Sequence, residues 1–377
     1  MPRSATPRDP WGTPPWPIDF QPPKQPLPPS VDFAIIGGGF TGLAAAAWLR
    51  SLAPEKSVAV LEATRIGAGA SGRTGGMVLA ESAAGDLPGL GDVLHSFAEI
   101  LKQLGVNCDL TLSGAWEIGR RDKVENSPIE WKDSGTLRVV NEVPGGTLDP
   151  GRLVAGLARA AHQRGAVVIE NAPVERVEWS RGAELHVPNG FLRAEKVLFA
   201  TNGLSLGLSG LEGRAEPRLT LAAATEPLRE DQLQAIGLSH GKPFYTVDFP
   251  YLWGRTRSDN SIVWGAGLVA APDSQHVEQI DISSNEPARM FASLEQRVRN
   301  LHPALADVHF THRWGGPILF RENWKPVFSQ HPASANSIVL GAYAGHGVAL
   351  SAHLGVWAAE ALLGRRELPD WGHIEPS

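Results

Sequence analysis

The apolar positions of this 377-residue chain change their period several times. Residues 1–30 show no regular pattern and carry eleven prolines. Proline interrupts helix and strand alike, so this stretch reads as an extended arm. Trp11, Trp16 and Phe20 lie within it, which suits an arm docked on the body of the protein better than a bare linker. At Val31 the pattern becomes regular. "VDFAIIGG" is an apolar run of strand length, "TGLAAAAWLRSL" is alanine-rich and helical, and "SVAVLE" is a second strand ending in an acid. This β–turn–α–β order opens a doubly wound α/β sheet.

From about 85 to 144 the rhythm is lost. It returns at "TLDPGRLVAGLARAAHQRGAVVIE", where Asp149 suits an N-cap, Pro150 a first helical turn and Gly165 a C-terminal stop. Strands are expected at "AVVIE", "VERVEW" and "KVLFATNG". Residues 216–329 are rich in tryptophan and read as strand-like alternation, as in "YLWGRTRSDNSIVWGAGL". The chain then closes with "SIVLGAYAGHGVALSAHLGVWAAEALLG", a strand, a glycine-rich turn and a helix stopped by Gly364. The expected layout is a nucleotide domain in three pieces, 31–84, 145–215 and 330–377. A substrate domain of mixed α+β character is made from 85–144 and 216–329.

Two glycine-rich stretches carry the chemistry. Gly37, Gly39 and Gly42 form G-x-G-x-x-G between a strand and a helix. The first glycine permits the tight turn, the second lets the backbone approach a pyrophosphate, and the third lets the helix pack close to the strand. The helix N-terminus then offers free N–H groups to the phosphates. Glu62 ends the next strand, where an acid meets a ribose hydroxyl. This fingerprint by itself suits NAD or FAD. The second stretch, Ile66–Gly76 "IGAGASGRTGG", helps to separate them. Its serine, arginine and N–H groups can bracket a pyrophosphate from the side opposite the helix, and its last glycines leave room for a flat ring.

With these residues in view, "DFAIIGGGFTGL…LEATRIGAGASGRTGG" resembles the start of the D-amino-acid oxidase (DAO) superfamily of FAD-dependent oxidoreductases, nearest to its amine and amino-acid oxidases. "LDPGRLVAGLARAAHQRGAVVIENAPVERVE", "VLFATNG" and the C-terminal glycine segment are similar to later parts of the same family. The resemblance implies a glutathione-reductase-type Rossmann FAD domain with an inserted mixed-sheet substrate domain, and FAD bound extended. It places Gly37, Gly39, Phe40, Thr41 and Gly42 at the pyrophosphate and Glu62 and Ala63 at the adenosine ribose. Arg65, Gly69, Ala70, Ser71 and Arg73 fall near adenosine and phosphates, and Thr74, Gly75, Gly76 and Met77 near the isoalloxazine. Val174 presents its backbone to adenine, and Ala200, Thr201, Asn202 and Gly203 close over the cofactor. Gly345, His346, Gly347, Val348 and Ala349 form the C-terminal flavin segment.

A helix beginning at Gly345–Gly347 would place its positive end by the flavin edge that gains charge on reduction. His346 either adds a donor there or caps the turn. No second strand–GxGxxG–helix unit follows residue 80. Electrons are therefore expected to come from an organic substrate and to leave to oxygen or another acceptor. The expected reaction is oxidation of the C–N bond of an amine or amino acid to an imine, by hydride transfer to flavin N5, followed by hydrolysis. The alternatives are oxidation of a hydroxy acid or polyol on the same fold, or a flavoprotein subunit without turnover.

Trp116, Trp131, Phe244, Tyr245, Phe249, Tyr251, Trp253, Trp264, Trp314 and Trp324 fall in the two excursions. Most must be core, and one or two suit a wall for an amine. Amino-acid-oxidising relatives carry an R-x-G-x-R-P-like clamp for the substrate carboxylate. Here "HRWGGPILFRENWKP" keeps Arg313, has Gly316 at the second arginine, and has Asn323 where an acid is expected. That departure favours an amine without an α-carboxylate, with Arg255 or Arg321 as alternative sources of a clamp and a surface salt bridge as the plainer role for either. His346, Tyr245, Tyr251 and Arg321 are the candidates for contact with substrate.

Bulk properties remove other classes. A net charge of −6 gives no basis for nucleic-acid or membrane-surface binding. Cys108 is the only cysteine, so there is no internal disulfide and no multi-cysteine metal site. It also lies outside the C-terminal half, where some relatives attach FAD through cysteine, so noncovalent FAD is expected. The N-terminus lacks the apolar core of a secretory signal, and no membrane span is expected, which fits a cytoplasmic protein.

Overall fold

The structure, a computed structural model, describes residues 9–374. The first eight residues of the proline-rich arm lie outside the described residues. The chain forms two compact units. The larger comprises Trp16–Leu112, Pro144–Arg218 and the chain from Pro317 onward; the smaller comprises the chain as far as Pro15, Ser113–Val143 and Leu219–Gly316.

The larger unit is built on a sheet whose strands run, in spatial order, Val327–His331, Ser334–Gly341, Gly190–Phe199, Ser30–Ile36, Val58–Leu61 and Val167–Ile169. The last five are parallel to their neighbours, and Val327–His331 is an antiparallel edge. Successive residues of a strand point to opposite faces, and Ser30–Ile36 uses both. Phe33 and Ile35 enter one core with the helices, whereas Ala34 and Ile36 enter a second core with the hairpin strands Arg176–Trp179 and Ala183–Val187. A strand is apolar where it is covered on both faces, which is why "FAII", past Asp32, shows no alternation.

Helices Phe40–Leu52, Pro150–Gln163 and Gly347–Leu362 cover the first face. The Pro150–Gln163 helix follows its sequence signals closely. Asp149 accepts a hydrogen bond from Arg152 N at 2.8 Å, Pro150 opens the first turn, and Gly165 takes φ +88° just past the end. Residues 85–112, expected with the substrate domain, cluster instead with the larger unit. The reason is the helix Val93–Leu104, whose Val93, Leu94, Phe97, Ile100, Leu101 and Leu104 are buried along one stripe against the Gly347–Leu362 helix. Asp92 caps its start through His95 N, and Gly105 ends it at φ +69°.

In the smaller unit a mixed sheet runs Phe310–Phe320, Glu216–Thr225, Ile262–Ala270, Trp253–Thr256, Phe244–Thr246, Ala115–Arg120, Thr136–Val143 and Trp131–Lys132. Phe244–Thr246 is parallel to Ala115–Arg120, and the flanking pairs are antiparallel. Trp131, Phe244 and Trp264 are fully buried and meet edge-on or tilted at 5.0–5.5 Å. The strand-like reading of 216–329 missed a 17-residue helix, Asn285–Leu301. Its buried Phe291, Leu294, Glu295, Val298 and Leu301 recur at helical spacing between strongly polar neighbours. Its Arg297 joins Arg120 on the Asp133 carboxylate, both at 2.6 Å, which fixes the helix to the sheet edge.

Trp11 and Trp16 of the arm are buried. In the smaller unit Gly12 bridges to Trp314; in the larger unit the Trp16 indole donates to Gly72 O at 2.8 Å. Among the described residues, no helix is long and apolar enough to cross a membrane.

Candidate functional site

The two glycine loops of the larger unit are one structure. Gly37 takes φ +112°, and a Cβ there would lie 2.6 Å from Ala200 O. A Cβ on Gly42 would lie 2.0 Å from Gly37 O, so the helix start rests directly on the turn. Gly39 stands at the N-cap of the Phe40–Leu52 helix and has no side chain to cap it. The second loop supplies the missing cap: Ser71 Oγ accepts from Phe40 N at 2.9 Å. Gly67 N donates to Gly38 O at 3.0 Å, a second tie between the loops. The helix N–H groups of Thr41 and Gly42 take no acceptor among the described residues, as first-turn donors need an outside partner.

Glu62 reaches back into this turn. Its Oε2 accepts from Gly38 N at 2.8 Å and its Oε1 from Thr64 N at 3.0 Å. Desolvation lifts its carboxyl above the ordinary carboxylate range, against the pull of those two N–H groups. The second loop is stiffened from within. Arg73, buried, donates its Nε to Ala68 O at 2.8 Å, while Gly72 N and Thr74 N bond back to Gly67 O and Ala70 O. Beyond it, Met77–Leu79 pairs with Gly145–Thr147.

The two later segments arrive beside the first turn. Ala200 N donates to Ile36 O, and Asn202, at φ +48°, accepts through Oδ1 from Ala342 N at 2.9 Å. Thr201 Oγ1 is buried and has no hydrogen-bond partner among the described residues. The glycine-rich turn before the Gly347–Leu362 helix holds Ala342, Ala344 and Gly345 at φ +57°, +49° and +89°. Left-handed alanines cost conformational energy and persist only where surrounding contacts fix them. One such contact is Tyr343, whose hydroxyl shares a 2.8 Å hydrogen bond with Thr41 Oγ1 on the first helix. Full burial pushes the Tyr343 phenol well above its usual range, so it stays neutral. The sequence reading passed over Tyr343, although it is one of only three tyrosines and sits inside the quoted "GAYAGHG".

His346 occupies the N-cap position of the last helix without a side-chain cap bond. Its Nδ1 bonds Ala344 O at 3.3 Å, so Nδ1 carries the proton, and burial lowers its pKa toward the neutral ring. Val348 and Ala349 are buried in the first turn of that helix, and Val174 is buried in the second core.

The family model for FAD dependent oxidoreductases, DAO, matches residues 32–361, most of the chain and all of the segments just described. The chain belongs to the DAO family of FAD-dependent oxidoreductases. Its relatives include the gamma-glutamylputrescine oxidoreductase of Escherichia coli (strain K12), 27% identical and covering 89% of this chain and 84% of that protein. A probable oxidoreductase, OrdL, of Rhizobium meliloti (strain 1021) is 26% identical over 89% of this chain and 83% of its own length. Among solved structures the fold is that of glycine oxidase from Geobacillus kaustophilus (TM-score 0.70, 19% identity, 91% and 97% of the two chains). L-proline dehydrogenase from P. horikoshii is comparable (TM-score 0.69, 17% identity, 91% and 96%).

The residues present fit the family's FAD. Uncapped helix N–H groups, a cradle that a Cβ would fill, an acid at the turn and the orphaned Thr201 hydroxyl are the features a dinucleotide would complete.

The four substrate-contact candidates of this DAO-family chain divide between the units. His346 and Arg321 lie in the larger, Tyr245 and Tyr251 in the smaller. Arg321 donates Nη2 to His373 O at 2.9 Å and Nη1 to Pro326 O at 3.4 Å, a backbone-bracing role. Tyr251 is half exposed and packs on the exposed Phe249 ring at 4.2 Å. Tyr245 donates its hydroxyl to Glu117 Oε1 at 2.9 Å, a partner the sequence did not suggest. Arg313 is ion-paired with the buried Glu295 at 2.5 Å. Of the ten aromatics in the excursions, Trp131, Phe244, Trp264 and Trp314 are fully buried core.

Proposed function

We propose that this flavoenzyme oxidises the C–N bond of an amine without an α-carboxylate, giving an imine that water hydrolyses. The observation that carries the reading is Arg313: its guanidinium is engaged by Glu295 at 2.5 Å, and Gly316 stands where a second arginine would complete a carboxylate clamp. When bound, FAD supplies the two-electron acceptor, N5 receiving the hydride from the carbon next to nitrogen. Thr41 and Gly42 N–H groups would hold the pyrophosphate, Glu62 the ribose, and Thr74, Gly75, Gly76 and Met77 would lie along the ring. The N-terminus of the Gly347–Leu362 helix would steady the negative charge of the reduced state. His346, neutral and proton-bearing at Nδ1, keeps Nε2 as a proton acceptor. The nitrogen would give up its proton, to that Nε2 or to water, as the carbon gives up the hydride.

The test is an anaerobic titration of the purified yellow protein with primary and secondary amines, with glycine and D- and L-amino acids for comparison. Bleaching of the flavin absorbance by amines, and weaker bleaching by α-amino acids, is expected. A flavin that no amine bleaches overturns the reading.

A further inference from the structure

The proline-rich arm lies against the second glycine loop. From Trp16 onward it belongs to the larger unit, as the loop itself does. The Trp16 side chain is buried, and its indole Nε1 donates to Gly72 O at 2.8 Å. Ile18 is half-buried and packs on the core of the same unit. Its Cδ1 would stand 2.9 Å from a Cβ on Gly67 and 3.1 Å from one on Gly72. The Gly67 Cβ would also meet Val154 at 2.9 Å, and a Cβ on Gly151 would come within 2.0 Å of Pro17 O. The arm is thus seated between the loop and the Pro150–Gln163 helix. Farther along it touches that helix: Phe20 lies 5.5 Å from the Arg159 guanidinium, and Asp19 O accepts from Arg159 Nη2 at 3.1 Å.

Gly67 and Gly72 are therefore not spare room for a ligand. The space their side chains would need is taken by Ile18 and, at Gly72, also by Gly67 O at 2.4 Å. From there the bonds of the loop lead to the helix end that would meet a pyrophosphate. Gly72 N donates to Gly67 O at 3.0 Å, and Gly67 N donates to Gly38 O of the first loop at 3.0 Å. Ser71, the residue before Gly72, caps Phe40 N at 2.9 Å. Trp16 fixes Gly72 through its carbonyl while Gly67 fixes it through its N–H, so the backbone that carries Ser71 is held on both sides. A glycine-rich loop has much conformational freedom to lose, and a site binds more tightly when that loss is met before the ligand arrives.

We infer that Trp16 and Ile18 are positioning residues of the cofactor site: the arm holds the second glycine loop in the form that takes the FAD pyrophosphate, and FAD affinity falls when those two contacts are lost. Neither residue need touch the cofactor. The inference concerns the dinucleotide alone and stands whichever substrate the flavin oxidises.

The test titrates the full-length apoprotein with FAD, following the change in flavin fluorescence, for the wild type, Trp16→Phe, Ile18→Ala and Phe20→Ala. Trp16→Phe keeps an aromatic ring and removes only the donor to Gly72 O. Phe20→Ala loosens the arm on the Pro150–Gln163 helix and leaves its contacts with the loop, so it separates loop positioning from general stability. Circular dichroism melts of each apoprotein establish folding and give the stability change. Trp16→Phe is expected to raise the FAD dissociation constant about threefold to tenfold, the scale of one net hydrogen bond. Ile18→Ala should raise it as well. Phe20→Ala should lower the melting temperature and leave FAD affinity unchanged. Unchanged affinity in folded Trp16→Phe overturns the inference; should that variant fail to fold, Ile18→Ala carries the same test. A loss of affinity in Phe20→Ala equal to that in Trp16→Phe also overturns it, because affinity would then follow stability and not the geometry of the loop.

Discussion

Ser71 does work that its position in the sequence does not announce. The glycine that a dinucleotide requires at residue 39 removes the usual N-cap side chain, and a serine thirty-two positions away restores the bond. Ser71→Ala should therefore lower stability by about 1 kcal/mol, the typical worth of an N-cap hydrogen bond. It should also weaken FAD retention, because the same helix end would meet the pyrophosphate. Thermal melts with and without added FAD read both effects, and an unshifted melt in either condition would contradict the role. Tyr343 and Thr41 form a comparable pair. Tyr343→Phe leaves the Thr41 hydroxyl buried without its partner, an expected loss of about 1–3 kcal/mol, measurable by chemical denaturation.

Among the elements, the contact between the first and last helices leaves little room. Gly355 in Gly347–Leu362 lies against the first turn of Phe40–Leu52, where a Cβ would stand 2.6 Å from Thr41 O. The neighbour is backbone and cannot swing away. Gly355→Ala should cost about 1–3 kcal/mol through overpacking, against the usual helix-stabilising effect of alanine for glycine. A melting temperature equal to or above wild type would show that the helices separate freely. The misplaced 85–112 segment belongs to this scale too. Its helix stripe is plain in the sequence, but periodicity names a buried face without naming the surface that buries it.

For the molecule as a whole, buried histidines tie stability to pH. Burial, aided by Arg366, lowers the pKa of His353 from 6.5 to about 4. His331 and His346 are lowered in the same direction, chiefly by burial. A histidine depressed in the folded state holds fewer protons there than in the unfolded chain. Its contribution is thus complete above pH 6.5 and is lost as pH falls toward 4. Denaturation midpoints should fall across that window, at up to about 1.4 kcal/mol per pH unit for each histidine involved. His353→Leu should flatten the slope; an unchanged slope would remove His353 from the account.

Local periodicity and spacing were enough to determine the βαβ unit, the Asp149–Gly165 helix and the glycine turn with Glu62, because each depends on residues near one another in the chain; the family came from a resemblance over longer stretches, which the family match bears out. Gly37, Gly42 and Gly165 are glycines for reasons a single turn or helix end supplies. What only the tertiary structure decided depends on partners distant in sequence. Ser71 closes Phe40–Leu52, Tyr343 meets Thr41 across 302 positions, and Glu117 meets Tyr245 across 128. Strand register fixed that last pairing. A strand's own residues specify which positions share a face, whereas the neighbour that lies alongside is chosen by the packing of the whole sheet.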